Sequence, residues 1–187
     1  MKVQNSLLLI AVILVTTSCQ NEVALFQQDG GGWFIDGDAV WTFDDGELTG
    51  TVTDGAGFVM TDKTYKSFEL ELEFYPSDSI NSGVFVRCEG HAITATECYE
   101  INIWDSRPDP KYRTGAVVLK SAPKVHIETT NKWNTYKIRC QDDHIEVWLN
   151  GTLTADLQDS TIAEGYIGLQ ASGTGFMKFR NVHITVL

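Results

Sequence analysis

Residues 67–74 read SFELELEF, and their alternation decides the fold class. In an extended chain successive side chains point to opposite faces. Phe68, Leu70, Leu72 and Phe74 therefore share one face, and Glu69, Glu71 and Glu73 share the other. One buried and one wetted face is the signature of an antiparallel strand lying over a core.

The same period recurs outward from this segment, in GVFVRC (83–88), CYEINIW (98–104), AVVL (116–119), WNTYKIRC (133–140), HIEVWLNG (144–151), GYIGLQA (165–171) and GFMKFRNVHITVL (175–187). Turn signals separate these runs: DDGE, TDGAG, SDSINSG, QDDH and SGTG. Asn150-Gly151 is a strong two-residue hairpin signal. No long stretch carries helical periodicity. Many short strands at close spacing predict an all-β, two-sheet antiparallel jelly-roll sandwich. No linker or internal repeat divides the chain, so residues 25–187 read as one domain.

The chain has 187 residues, enough for a sizeable core. Its formal net charge of −11 disfavours nucleic acid and anionic lipid surfaces as partners. Neutral or cationic ligands fit that charge, neutral sugars among them. The N-terminus has Lys2, an apolar run from Leu7 to Val15, then Thr16, Thr17, Ser18 and Cys19. The run is too short to span a membrane, which takes about 20 residues. It reads as a signal peptide over 1–18, with a small residue directly before a cysteine that becomes the lipidated N-terminus; a plain secretory signal is the alternative. Residues 19–24 then form a short tether. Gln20, in place of Asp, resembles the outer-membrane sorting pattern. The expected location is the cell envelope, at the outer membrane facing the periplasm or the cell surface, with membrane contact only through the lipid.

Export permits disulfides. Cys88 and Cys98 end and begin two strand-like runs, so a bond stapling that hairpin is plausible; a disulfide-free chain remains the alternative, because sequence supplies no Cβ geometry. Cys140 reads as a buried free thiol. The spacings do not match a zinc site.

Residues 98–116, CYEINIWDSRPDPKYRTGA, begin as a strand and break into a loop holding two of the four prolines and many charges. Glu100 lies in the middle of a core-like run, where an unpaired charge is costly. Asn102 and Trp104 share its face by parity, an amide and an indole that suit sugar hydroxyls and apolar sugar faces. Pro108 and Pro110 stiffen a loop that presents Arg107, Asp109, Lys111, Tyr112 and Arg113. Such a loop fits the rim of a site.

Several motifs in order carry a resemblance: GELTG (46–50), GFVMTDKTYKSFELELEF (57–74), NSGVFVR (81–87), residues 98–116, WNTYKIRC, IEVWLNG (145–151), GYIGLQ (165–170) and FRNVHI (179–184). Over about residues 33–187 the chain resembles the 3-keto-disaccharide hydrolase family. The resemblance implies a concanavalin A-like lectin/glucanase sandwich with a carbohydrate site on a concave sheet. It also implies cleavage of 3-keto-disaccharides or 3-keto-glycosides. A ketone at C3 acidifies the C2 proton, so a base can expel the C1 substituent and hydration completes a net hydrolysis. Glu100 matches the Glu of the family's Tyr-Glu motif and Arg87 the Arg of NSGxFxR. With Asp105 they form the expected catalytic set. Asn102, Trp104, Arg107, Asp109, Tyr112, Arg113 and His126 are the expected substrate-binding residues. Thr114-Gly115 matches a family pair that allows close packing or ligand approach. No cofactor is expected; calcium occurs in the wider fold, but no dense Asp/Asn loop here argues for it.

Three features bear on this reading. If Cys88 and Cys98 oppose each other, Glu100 opposes Val86 and Arg87 points the other way. Then the disulfide is absent, a bulge resets the register, or Arg87 and Glu100 are not partners. After GLQ many family members carry an acidic residue or a His, where this chain has Ala171 and Ser172. That departure keeps open a non-catalytic carbohydrate-binding domain using Trp104, Tyr112 and Asn102. Finally, Glu69, Glu71 and Glu73 mimic the carboxylate strand of retaining glucanases, although a wetted strand face accounts for them more simply.

Overall fold

A computed structural model describes residues 22–27, 31–91, 93–94 and 96–187. The expected signal peptide, Cys19 and the start of the tether lie outside the described residues. The eight-stranded sheet runs β11 (Thr152–Gln158), β10 (His144–Leu149), β9 (Asn134–Gln141), β6 (Phe68–Pro76), β13 (Gly175–Val186), β4 (Glu47–Val52) and β3 (Val40–Asp44), with β1 (Glu22–Ala24) also on β13. The five-stranded sheet runs β2 (Trp33–Gly37), β5 (Ala56–Thr61), β12 (Tyr166–Gly173), β7 (Ile80–Cys88) and β8 (Tyr99–Ile103). All pairings are antiparallel. The predicted sandwich is therefore the observed fold.

SFELELEF lies at the centre of the larger sheet. Phe68, Leu70, Leu72 and Phe74 are buried, and β6 pairs with β9 on one side and β13 on the other. From the smaller sheet Val84, Val86, Tyr99, Ile101, Leu169 and Ala171 meet them in one continuous core. The glutamates of β6 face outward and are paired: Lys137 Nζ lies 2.6 Å from Glu69 and 3.5 Å from Glu71, and Arg180 Nη2 lies 2.6 Å from Glu73. They are the wetted face of the larger sheet, away from β8.

Two expectations change. Residues 22–24 are not a free tether, because Glu22, Val23 and Ala24 pair with Thr185, Ile184 and His183 of β13. β4 pairs only with Gly175–Arg180 of that strand, and β1 continues along the backbone β4 leaves unpaired. Residues 116–119 do not form a separate strand. They run beside β8, where Asn102 N donates to Ala116 O (3.0 Å) and Val118 N to Glu100 O (2.9 Å), covering the sheet edge before the chain turns back.

Arg87 decides the register. Tyr166 of β12 faces Cys88 while Gly168 faces Phe85, so β7 carries one extra residue, and Arg87 adopts φ 54° within the bulge. The bulge moves the pairing by one: Glu100 opposes Phe85, and Val86 opposes Tyr99. Arg87 is fully buried, donating through Nη2 and Nε to Lys66 O (2.8 and 3.2 Å) and through Nη1 to Ile162 O (3.3 Å). It ties two loops to the sheet and does not reach Glu100. Cys140 is the buried free thiol, and burial pushes it up to about 12, with Arg87 only partly opposing. Thiolate chemistry at Cys140 is thereby suppressed.

Replacing Arg87 with Met keeps bulk and removes three hydrogen bonds from a charged donor. Arg87→Met is expected to lower unfolding stability by about 3 kcal/mol. In urea titration the midpoint should fall with the slope unchanged.

Candidate functional site

β8 sits at the edge of the smaller sheet. Tyr99, Ile101 and Ile103 enter the core, so Glu100 and Asn102 project from the outer face. Asn102 opposes Gly83 of β7, and the β7–β12 register brings Gln170 to the other side of Gly83. Asn81 and Ser172 form the next row. A Cβ at Gly83 would lie 3.2 Å from Glu100 Cγ and 3.3 Å from the Phe85 ring. The missing side chain leaves room for Glu100 beside Gly83.

Few protein groups answer the polar atoms gathered there. Glu100 is 8% exposed and makes no side-chain hydrogen bond among the described residues. Burial raises its pKa above the ordinary carboxylate value, and the Arg107 guanidinium only partly opposes this. Asn102 is fully buried, and its Nδ2 donates to Tyr112 O, which fixes the amide's orientation. Asn102 Oδ1, Gln170 Oε1 and Asn81 Oδ1 are buried with no hydrogen-bond partner among the described residues. Each unsatisfied buried acceptor costs about 1–3 kcal/mol. Several on one patch of one face mark a ligand site better than a device for stability.

Arg107 supplies the nearby cation. Its guanidinium carbon lies 5.4 Å from the Trp104 ring centroid and 5.1 Å from that of Tyr112, within cation–π range of both. Arg113 Nε donates to Arg107 O at 3.0 Å, bracing the loop from behind. Trp104 is the first residue past β8, and its indole N–H donates to Ser106 Oγ at 3.0 Å.

The remaining expected residues are placed elsewhere. The Asp105 carboxylate accepts from Thr114 Oγ1, from the backbone N–H groups of Thr129 and Thr130, and from both of their hydroxyls (2.9 and 3.0 Å). Burial raises its pKa, but these bonds outweigh burial and hold it below the usual range. Its acceptor capacity is filled, so Asp105 is a clamp that positions the loop, and it is not brought to Glu100. Asp109 caps the short 3-10 turn Pro110–Tyr112, accepting from Lys111 N at 3.1 Å. His126 pairs with Glu128 at 2.7 Å on the surface. Gly115, at φ 90°, allows close packing, since a Cβ there would meet Thr154 at 2.9 Å. Gln170 and Asn81 were absent from the sequence-derived set. The alternation of Gly168, Gln170 and Ser172 against core residues Leu169 and Ala171 was the signal that could have found Gln170. By the same parity Ala171 faces the core, and only Ser172 of the departing pair lies on the site face, its hydroxyl donating to Gly55 O at 3.1 Å.

A disulfide joins Cys88 and Cys98. Described residues of the connection it closes lie over the outer face: His91 packs 4.1 Å from Phe34 and 4.5 Å from Tyr166, ring centroid to centroid. Ile93 covers Gly168, and Met60 and Phe85 lie in the same apolar cluster. The β8 side of the face is left to the polar group. A depression of about 710 Å³ lies on the other sheet, along Glu69, Glu71, Glu73, Lys137 and Trp148. There burial raises the Glu73 pKa but bonds from Arg180 and Asn181 prevail and hold it low. Those carboxylates are neutralised in ion pairs, so size alone does not make that groove the reactive centre. Among the described residues no three His, Cys, Asp or Glu side chains converge as a metal site.

Residues 21–185 match the family described as the 3-keto-alpha-glucoside-1,2-lyase-like domain, and the chain belongs to it. Its fold is similar to that of a candidate glycosyl hydrolase from Parabacteroides distasonis, with TM-score 0.77 and 24% identity over 89% of this chain and 100% of that one. It is also similar to carbohydrate binding module CBM66 from Bacillus subtilis (TM-score 0.64, 20% identity, 82% of this chain and 95% of that one). The β-glucanase of Bacillus licheniformis is a further likeness (TM-score 0.62, 16% identity, 89% and 97%). At these identities the structural likenesses speak for the fold alone. No curated protein sequence matches the chain.

Glu100 binds its proton more tightly in the folded chain than in the unfolded one, so between the two pKa values the folded state carries more protons. Stability then falls as pH rises through that window. Glu100→Gln removes the penalty. Its melting temperature is expected to exceed wild type near neutral pH, the gap closing below about pH 4, where both states of wild type are protonated.

Proposed function

We propose that the chain cleaves 3-keto-glycosides by elimination followed by hydration, with Glu100 as the base. The observation that carries this reading is Glu100 itself: a buried carboxyl that makes no side-chain hydrogen bond among the described residues and feels the Arg107 guanidinium, on a strand within the domain that belongs to the family. Glu100 removes the C2 proton, and the electron pair moves toward the C3 oxygen. Arg107, held between Trp104 and Tyr112, opposes the negative charge developing there. Collapse of the enolate forms the C1–C2 double bond and breaks the C1–O bond, and the departing alcohol takes the proton from Glu100. Water then adds, hydroxyl to C1 and proton to C2, leaving the 3-keto sugar. A raised carboxyl pKa suits a group that accepts and returns a proton. Asn102 and Gln170 are the acceptors for ring hydroxyls in this scheme. The N-terminal pattern supports export and lipid anchoring at Cys19 as the setting.

Ser172 favours a second reading, binding without turnover, because its hydroxyl is engaged by Gly55 and this position brings no acid or base to the face. Release of methanol from methyl 3-keto-α-glucoside separates the two. Glu100→Gln should lower the rate by about 10²–10⁴-fold, and Arg107→Met by about 10²-fold. The wild-type rate should rise with pH as Glu100 ionises. Binding without methanol release by wild type selects the second reading, and full activity in Glu100→Gln removes Glu100 from the base role.

A further inference from the structure

The outer face of the larger sheet is polar along most of β6, where Glu69, Glu71 and Glu73 project. That pattern breaks at one end. Tyr75 continues the glutamate face, Phe176 joins it from β13, and Trp133 joins it just before β9. All three are half-buried and belong to neither apolar cluster of the interior. Tyr75 and Phe176 are near parallel, 16° apart with centroids separated by 6.1 Å. Trp133 stands at 71° to Tyr75, with centroids 5.7 Å apart. The three rings make a corner.

The corner is braced. Arg180 stacks on Trp133 with its guanidinium carbon 3.9 Å from the ring centroid. Glu73 holds that guanidinium through Nη2 and Nε at 2.6 and 3.0 Å, and Asn181 Nδ2 donates to the same carboxylate at 2.6 Å. A surface indole fixed by a cation, a carboxylate and an amide loses little freedom when a ligand meets it. Beside Phe176 lies an open depression of about 510 Å³, lined by Thr49, Thr51 and Lys178 among others.

The polar fittings identify the ligand class. Among the described residues the Trp133 indole N–H and the Tyr75 hydroxyl have no hydrogen-bond partner, while the rings beside them offer apolar faces. A ligand that satisfies both must present C–H faces and hydroxyl groups together. Pyranose rings do so. An apolar protein surface would bury those donors unpaired.

We propose that Trp133, Tyr75 and Phe176 form a second carbohydrate site, separate from the Glu100 face, that takes neutral glucan chains. It lies on the opposite sheet and so would hold an extended glycan without occupying the reactive centre.

Calorimetric titration of the full chain with maltohexaose and with cellohexaose tests this, using the Glu100→Gln background so that any contribution from the other face is constant. At least one hexaose should bind, and Trp133→Ala and Tyr75→Ala should each weaken it about tenfold or more. Trp133→Phe should retain part of the affinity. Absence of binding by both hexaoses overturns the proposal, as does binding that survives Trp133→Ala and Tyr75→Ala. Sedimentation provides the other check: a wild-type dimer dissolved by Trp133→Ala would make this face a contact between copies and overturn the sugar assignment. None of these outcomes alters the reading of Glu100, which rests on turnover.

Discussion

One extra residue in β7 governs the chemistry of the smaller sheet. A strand offers each side chain one of two faces, and an insertion exchanges them from that point onward. At Arg87 the exchange turns a guanidinium into the interior, where carbonyl groups of two loops receive it. It leaves Cys88 on the outer face, in reach of Cys98, and sets Glu100 opposite Phe85. Without the bulge the cation and the carboxylate would still lie on different faces, but with the carboxylate in the core. The bulge is thus the condition under which β8 can present Glu100 and Asn102 outward while Tyr99, Ile101 and Ile103 complete the core.

The two sheets divide the work of stability and recognition. Across β6, β9 and β13 of the larger sheet, the inner face is apolar and most outer charges are paired. The smaller sheet is buried on both faces over much of its width, because the disulfide-closed connection packs His91 and Ile93 onto it. A face covered in this way excludes water from its neighbours, which is why a carboxyl in β8 feels a low-dielectric setting although it lies outside the sandwich core. The unsatisfied amide oxygens nearby lower stability, and the continuous apolar core is what tolerates them.

Strand existence and face were legible in the sequence wherever alternation was strict, as in SFELELEF, CYEINI and NTYKIRC. The sandwich followed from their number. Three things were not legible. The bulge has no compositional mark at Arg87, a non-glycine residue at positive φ, so only the conflict between the cysteines and the family motif hinted at it. Arg107 appeared as one charge among several, since its selection depends on two rings brought together by the loop. Asp105 looked equivalent to Glu100 because both are acids in one motif, and sequence does not show how many donors surround each.

That last contrast explains how the loop and the strand work together. Asp105 is half-buried and Glu100 buried, and their environments drive them apart: hydroxyl and amide donors outweigh burial and hold the pKa of one low, while burial favours the proton on the other. Asp105 gains its bonds from Thr114 on one side and from Thr129 and Thr130 on the other, so its charge pins the loop bearing Arg107 against the end of the sandwich. Arg107 in turn is the cation that tempers Glu100. Neutralising Asp105 would therefore be felt at Glu100 through the position of Arg107, with no direct contact between the two acids. The ionised carboxylate gives the loop its rigidity, and that rigidity keeps the Arg107 charge where it acts on Glu100.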